Sequence, residues 1–188
     1  MSHGFVFDSE FCLFLRRIDG EVAQQVRDQR CRACGGTLHA ANYMRRPAGW
    51  PATEELRLSF CCAAEGCRKR ITPPSMRFFG RRVFLGPIVV LASILCHGMT
   101  PRRVDRVRSF FNVSQRTIER WRKWWLSDFA RSRFWRSRPD HFRSPVASDR
   151  LPVSLWEQFT GEDRPRLETA LRFLLPITSG QGLGAPVV

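Results

Sequence analysis

The fold of this chain is decided by residues 112–125, Asn112-Val113-Ser114-Gln115-Arg116-Thr117-Ile118-Glu119-Arg120-Trp121-Arg122-Lys123-Trp124-Trp125, which combine a turn with an amphipathic basic helix. Ser114 is a favourable N-cap, because its hydroxyl can accept a hydrogen bond from a free first-turn amide. Apolar residues recur at helical spacing and predict a core-facing stripe. They are Val113, Ile118, Trp121 and Trp125. One packed face and one basic face are typical of the recognition helix of a helix-turn-helix, although charged helix faces are often only solvated.

Two segments before this stretch complete a predicted three-helix unit. Val83–Leu95 is strongly apolar but shorter than the roughly 20 residues of a membrane span, so we expect a buried first helix that begins near Pro87 and ends by Gly98. Thr100 and Pro101 are start signals for a second helix. Its predicted inward residues are Val104, Val107, Phe110 and Phe111. With Asn112 in a left-handed turn and a third helix from Ser114 to about Phe129, the arrangement is homeodomain-like.

The charge distribution favours a nucleic acid as the partner. The chain has 31 Lys and Arg against 17 Asp and Glu, a net charge of +14. Residues 1–65 have a net charge of zero, residues 66–138 of +15, and residues 139–188 of −1. A basic segment of this kind is the electrostatic signature of binding to a phosphate backbone.

The predicted DNA contacts are therefore the polar residues of the third helix, two arginines at the start of the second helix, and basic residues between the cysteines and the first helix. Those of the third helix are Ser114, Gln115, Arg116, Thr117, Glu119, Arg120, Arg122 and Lys123. The others are Arg102, Arg103, Arg68, Lys69, Arg70, Arg77, Arg81 and Arg82. We expect the last six to lie on a final ribbon strand and on an extended arm that follows phosphates or enters a minor groove, although an ordinary basic linker would look the same.

Cysteine spacing predicts a single structural zinc ion. Cys31-x-x-Cys34-Gly35-Gly36 has the form of a zinc knuckle, and Cys67 follows Gly66 in a second knuckle. The partner of Cys67 is Cys62 or Cys61, and strand alternation favours Cys62. His39 is a less favoured fourth ligand. The predicted ligands are Cys31, Cys34, Cys62 and Cys67. A disulfide framework is disfavoured by the odd count of seven cysteines and by a basic profile that suggests a reducing compartment.

Short strands are expected between the two knuckles. Tyr43–Pro47 and Leu56–Phe60 have strand patterns, and residues 47–51 would join them. The alternation of Leu56, Leu58 and Phe60 with polar residues predicts that these three face the interior.

Helices are predicted at both ends of the chain. Residues 5–28 form an amphipathic pattern that Gly20 weakens or breaks. Its predicted inward residues are Phe11, Leu13, Phe14, Leu15, Ile18 and Val22. After the loop-rich residues 130–152, two short helices are expected near residues 152–159 and 164–175, whose apolar residues would close over the core or form a homodimer. These residues are Leu155, Trp156, Phe159, Leu167, Leu171, Phe173, Leu174 and Leu175.

The predicted fold is thus mainly α with a small β zinc ribbon. An N-terminal helical segment (1–30) precedes a zinc ribbon and basic arm (31–82), a helix-turn-helix unit (83–129) and a C-terminal region of loop and short helices (130–188).

The order of these motifs resembles the N-terminal zinc-ribbon and helix-turn-helix region of bacterial insertion-sequence transposases over residues 31–129. The resemblance implies that the four cysteines named above bind the metal and that the helix from Ser114 binds element ends. Those transposases continue into an RNase H-like domain with three metal-binding carboxylates. Only residues 130–188 follow the third helix here, so the resemblance does not imply catalysis.

These patterns predict a non-enzymatic, cytoplasmic, nucleoid-associated bacterial protein that binds double-stranded DNA, with no membrane association. It would serve as a regulator or a DNA-targeting subunit of a mobile element. Two alternatives remain open at this point. One is an adaptor that docks a transposase, recombinase or nuclease, and the other is an RNA-binding protein.

Overall fold

The computed structural model describes residues 9–46, 54–79, 86–95, 100–138, 142 and 144–179. These residues form a mainly helical structure with two small antiparallel sheets and a cluster of four cysteines. The mainly α fold with a small β part is therefore confirmed. None of the helices formed by these residues is long and apolar enough to cross a membrane.

The first helix, α1, spans Ser9–Asp28 and continues through Gly20. A glycine within a helix costs about 1 kcal/mol, and the buried side chains on either side of Gly20 outweigh it. The prediction that Leu13 faces inward is wrong, because its side chain is 61% exposed. Leu13 lies two residues after the buried Phe11, on the opposite side of the helix. Phe14 and Val22 pack at the edge of the core as predicted.

Five short strands follow α1. Strands β1 (Leu38–Ala40), β4 (Phe60–Cys62) and β5 (Arg70–Ile71) form an antiparallel sheet in the order β1-β4-β5. Strands β2 (Tyr43–Arg45) and β3 (Glu55–Arg57) form a separate antiparallel pair. The predicted connection at residues 47–51 lies outside the described residues.

The predicted strand Leu56–Phe60 is divided between the two sheets. The prediction that Leu56, at its start, faces the interior is therefore wrong. Leu56 is 42% exposed, whereas the neighbouring Arg57 is only 2% exposed. The guanidinium group of Arg57 donates to the carbonyl oxygen of Pro73 at 2.7 Å and lies over the ring of Phe78. The chain changes sheets immediately afterwards, and this change brings Phe60 to the interior.

Three helices form the centre of the structure. Helix α2 spans Gly86–Leu95, α3 spans Pro101–Phe111 and α4 spans Gln115–Trp124, and α2 packs against both α3 and α4. The predicted start near Pro87 is confirmed, whereas Val83–Leu85 and Gly98 lie outside the described residues. Asn112 adopts the predicted left-handed conformation, with φ of 49°.

Phe110 contradicts the predicted inward face of α3. Its side chain is 66% exposed, whereas Phe111 is buried and Val104 and Val107 are half-buried. Val104, Val107 and Phe111 follow the spacing i, i+3, i+7 and share one face, which leaves Phe110 at its edge.

The helix that begins at Gln115 continues beyond α4 as a π-turn, Trp125–Phe129, so its predicted end is confirmed. The wider turn lets two adjacent tryptophans and Phe129 all be buried. The ring centroid of Phe129 lies 5.5 Å from that of Trp124 and 4.8 Å from that of Trp125. These aromatic residues are part of the core, and Trp125 belongs to the predicted core-facing stripe.

The C-terminal region closes over this core. It contains α5 (Arg133–Arg136), α6 (Val153–Trp156) and α7 (Asp163–Leu174), followed by a 3-10 turn at Leu175–Thr178. All eight predicted apolar residues are buried in, or lie at the edge of, the same cluster as Trp121. The prediction that these helices cover the core is therefore confirmed.

A buried carboxylate joins α1 to the segment that precedes α2. Asp19 accepts hydrogen bonds from the hydroxyl of Ser75 at 2.5 Å, the backbone amide of Met76 at 2.7 Å and Nε of Arg77 at 2.8 Å. Arg77 also contacts Glu55 at 2.6 Å. The predicted basic arm is thus part of the interior here, and Arg77 is unavailable to a phosphate.

We predict that Asp19→Ala lowers the free energy of unfolding by about 3–5 kcal/mol, because it removes the acceptor of three buried donors, namely the Ser75 hydroxyl, the Met76 amide and Nε of Arg77. Urea denaturation followed by circular dichroism measures the change. Glu21→Ala is the matched control, since Glu21 forms only an exposed 3.9 Å pair with Arg17, and it should cost at most about 1 kcal/mol. Equal denaturation midpoints for the two variants would contradict the role given to Asp19.

Candidate functional site

Four thiols from two turns meet at one point. The Sγ atoms of Cys31, Cys34, Cys62 and Cys67 all lie within 4.8 Å of one another. The Cys31–Cys67 and Cys34–Cys62 sulfur distances are 3.8 and 3.4 Å, too long for disulfide bonds of about 2.05 Å. Four sulfurs at tetrahedral positions about 2.3 Å from one ion would be about 3.8 Å apart. The cluster therefore has the dimensions of a metal site.

The first pair of thiols is held by a tight turn. The amides of Cys34 and Gly35 donate to the carbonyl of Cys31 at 3.3 and 2.7 Å. Gly35 has φ of 73°, which is strained for any residue with a side chain. A Cβ atom on Gly36 would lie 3.0 Å from the sulfur of Cys62. Both glycines of the Cys-x-x-Cys-Gly-Gly motif are thus needed. Gly35 allows the turn, and Gly36 leaves room for the sulfur of Cys62 to approach the backbone.

The second pair is held by strand β4 and the turn that follows it. Cys62 lies opposite Leu38 in the sheet, and its amide donates to the carbonyl of Lys69 at 3.0 Å. The amide of Cys67 donates to the carbonyl of Ala64 at 3.1 Å, next to Gly66 with φ of 81°. The strand and the turn together aim both sulfurs at the first pair.

The choice between Cys62 and Cys61 is decided by strand alternation. Cys62 is fully buried in the cluster, whereas the thiol of Cys61 approaches the carbonyl of Arg68 at 3.5 Å. His39 is exposed and lies opposite Cys61 across the β1–β4 pair, so it is not a member of the cluster. The preference for Cys62 over both alternatives agrees with the geometry.

The thiols of the cluster differ in how readily they ionise. A hydrogen bond from the backbone of Ala33 lowers the pKa of Cys31 to about 7. A hydrogen bond from the backbone of Ala64 lowers the pKa of Cys62, but burial and the neighbouring thiols outweigh it and raise that pKa to about 12. One thiolate therefore forms readily, and further thiolates so close to it need a cation.

A second candidate surface lies on α4. The side chain of Ser114 accepts a hydrogen bond from the amide of Thr117 at 3.2 Å, which is the predicted N-cap. The predicted stripe of Val113, Ile118, Trp121 and Trp125 is buried. The opposite face presents most of the predicted polar residues to solvent. They are Gln115, Arg116, Glu119, Arg120, Arg122 and Lys123.

Two predicted contacts do not belong to an exposed surface. Thr117 is buried, and its hydroxyl is already engaged, lying 2.9 Å from that of Ser114 and accepting from Arg120 at 3.2 Å. Arg77 is buried between two carboxylates, as described above. Both are corrections to the predicted set of DNA contacts.

The remaining predicted contacts occupy other parts of the structure. Arg102 is exposed on the first turn of α3, and Arg68 and Lys69 are exposed beside β5. Arg70 is exposed but donates to the carbonyl of Ala41 at 2.7 Å and lies over the ring of Tyr43. Arg81, Arg82 and the side chain of Arg103 lie outside the described part of the chain.

Sequence reasoning missed a group of exposed arginines beyond the third helix. Arg131, Arg133 and Arg136 follow the π-turn and are exposed to solvent. Their basic run is visible in the sequence, but residues 130–152 are predicted there to be loop-rich. The short helix α5 was not predicted.

Searches against protein-family models, curated proteins and solved structures found no match to this chain.

We predict that Cys62→Ser abolishes tight binding of one metal ion per chain, whereas Cys61→Ser retains it. The two positions are adjacent, but only Cys62 points to the other three sulfurs. Metal content after dialysis, measured by elemental analysis, and thermal melting with and without a chelator test this prediction. Loss of the metal from both variants, or from neither, would contradict the assignment. Acidification should also release the metal, because protons compete for the thiolates.

Proposed function

We propose that this chain is a zinc-stabilised protein that binds double-stranded DNA in a sequence-specific manner and has no catalytic activity of its own. The observation that carries the proposal is the exposed basic face of α4, on a helix whose opposite face is anchored in the core. We further propose that it acts within a mobile element, as a regulator or a DNA-targeting subunit. That part rests on the resemblance of its motif order to insertion-sequence transposases.

Zinc is the ion proposed for the cysteine cluster. A tetrahedral set of four thiolates suits zinc better than magnesium or calcium, which prefer oxygen ligands. Four protein ligands leave no open position for substrate, so the proposed role is structural. The cluster adjoins a small core formed mainly by Ala23, Cys31, Leu38, Phe60 and Cys62, which has little apolar area of its own. The metal would therefore supply much of the stability of this ribbon.

The third helix is the proposed reader of the DNA sequence. Helix α3, the three-residue turn Asn112–Ser114 and α4 have the order and turn length of a helix-turn-helix. Arg116 and Arg120 lie one turn apart on the exposed face, near the end of the helix that such motifs insert into the major groove. Gln115 donates to Glu119 at 2.9 Å, which holds both side chains near these arginines. Arginine forks suit the O6 and N7 acceptors of guanine.

We predict that Arg116→Ala or Arg120→Ala weakens binding to the preferred duplex by about 1–3 kcal/mol and relaxes the preference at one base position. The preferred duplex is first obtained by selection from a random DNA library. Titrations with that duplex and with single-base variants then measure both effects. Arg150→Ala is the matched control, since Arg150 is an exposed arginine paired with Glu157 and lies outside the helix.

Three outcomes would count against this proposal. Unchanged affinity and preference in both variants would show that α4 is not the reader. Tighter binding to structured RNA than to duplex DNA at the same salt concentration would favour the RNA-binding alternative. Failure of the selection to enrich any sequence would favour an adaptor function.

A further inference from the structure

The exposed arginines after the π-turn continue the basic face of α4. The hydroxyl of Ser127 donates to the carbonyl of Lys123 at 2.6 Å, and Nε of Arg131 donates to the carbonyl of Ser127 at 3.2 Å. Lys123, Ser127 and Arg131 therefore follow one line along the same side of the helix. Arg116 and Arg120 precede Lys123 on this side at helical spacing. The result is one polar strip from Arg116 to Arg131.

The length of this strip exceeds the width of the major groove that the proposed reader helix would enter. At about 1.5 Å per residue, it extends over roughly 20 Å, whereas the major groove of B-DNA is about 12 Å wide. A helix that enters the groove N-terminus first, with Arg116 and Arg120 against base edges, would therefore carry its other end out of the groove, towards a phosphate backbone. Arg131 lies at this C-terminal end of the strip, and α5 follows directly after it.

Helix α5 holds two further arginines on a fixed support. The hydroxyl of Ser132 accepts from the amide of Trp135 at 3.1 Å and donates to the carbonyl of Phe129 at 2.7 Å. Phe134 is buried, with its ring 5.2 Å from that of Phe173. Arg133 and Arg136 lie on either side of Phe134 and Trp135 in the sequence, and both arginines are exposed to solvent.

The charges of these arginines are not needed to hold the fold together. Many other arginines of the chain have structural partners. Arg77 pairs with Asp19, Arg164 pairs with Glu10 and Glu168, and Arg138 lies over the rings of Phe134 and Phe173. Among the ion pairs of the described residues, none includes Arg131, Arg133 or Arg136. Residues 115–138 hold eight basic residues and only two acidic ones. Like charges at this density repel one another, and a polyanion would relieve that repulsion.

We propose that Arg131, Arg133 and Arg136 form a phosphate-binding surface that grips the DNA backbone beside the groove read by α4. The inference rests on the proposed DNA-binding function and assigns this surface an anchoring role rather than a reading role. It adds affinity and fixes the orientation of α4, but it does not distinguish sequences.

The test is a triple variant, R131Q/R133Q/R136Q, titrated against the selected duplex and a scrambled duplex of the same composition. We expect affinity for both duplexes to fall by the same factor, on the order of tenfold at 0.1 M salt. The slope of log K against log salt should flatten by about two to three. R131K/R133K/R136K should retain most of the affinity, because a phosphate contact needs charge more than a fork. R17Q/R27Q/R30Q removes the same net charge from exposed positions on and just after α1 and should have a much smaller effect.

Each other outcome is informative. If the triple variant binds like the wild-type protein, or no more weakly than the α1 control, the surface does not contact DNA. If it loses preference for the selected duplex, these arginines read bases, and the anchoring role is wrong. If the wild-type protein binds neither duplex, the DNA-binding function itself fails. Unchanged far-UV circular dichroism of the variant excludes misfolding as the cause of a loss.

Discussion

The buried carboxylate of Asp19 is the interaction on which the arrangement of this protein depends. A lone charge in the interior would be strongly unfavourable, and here it is compensated by one guanidinium group and two further hydrogen-bond donors from Ser75 to Arg77. Those donors lie on the segment that follows strand β5 of the cysteine-bearing sheet and leads to α2. If any of these donors moved away, the buried carboxylate would lose a hydrogen bond that water cannot replace. The path of the segment from Ser75 to Arg77 is therefore strongly constrained.

Helix α1, which carries Asp19, also contributes side chains to two separate cores. The N-terminal half of α1 contributes Phe11, Leu15 and Ile18 to the core of the helical part. Its C-terminal half contributes Ala23, and at the edge Val26, to the core beside the cysteines. Because one rigid helix takes part in both, the four-thiol cluster and α4 belong to one structure. A metal that orders the core beside the cysteines would therefore also stabilise the helical part that contains α4.

Local signals in the sequence were sufficient for the cysteine cluster and for α4. The spacing of Cys31 and Cys34, the glycines around them and the alternation of Cys61 with Cys62 are all short-range patterns, and so are the Ser114 cap and the left-handed Asn112. The errors at Leu13 and Phe110 concern helix faces, whereas those at Arg77, Arg57 and Leu56 arose where distant contacts override local patterns. Arg77 looked like part of an exposed basic arm because its partners are distant in sequence, Asp19 by 58 residues and Glu55 by 22. Arg57 is buried and Leu56 is exposed, the reverse of the prediction, because the chain passes from one sheet to the other just after them. A simple alternation of apolar and polar residues does not reveal such a change.

The π-turn at Trp125–Phe129 has a consequence for rotation about the helix axis. A π-turn is in effect an α-helix with one surplus residue, and each residue of an α-helix turns the chain by about 100°. Removing one residue from this turn would restore regular winding and swing Arg131 and α5 by about that angle relative to Arg116. The angular phase between the two basic regions is therefore set by a single residue. A change in chain length at this point would alter it without changing any charge.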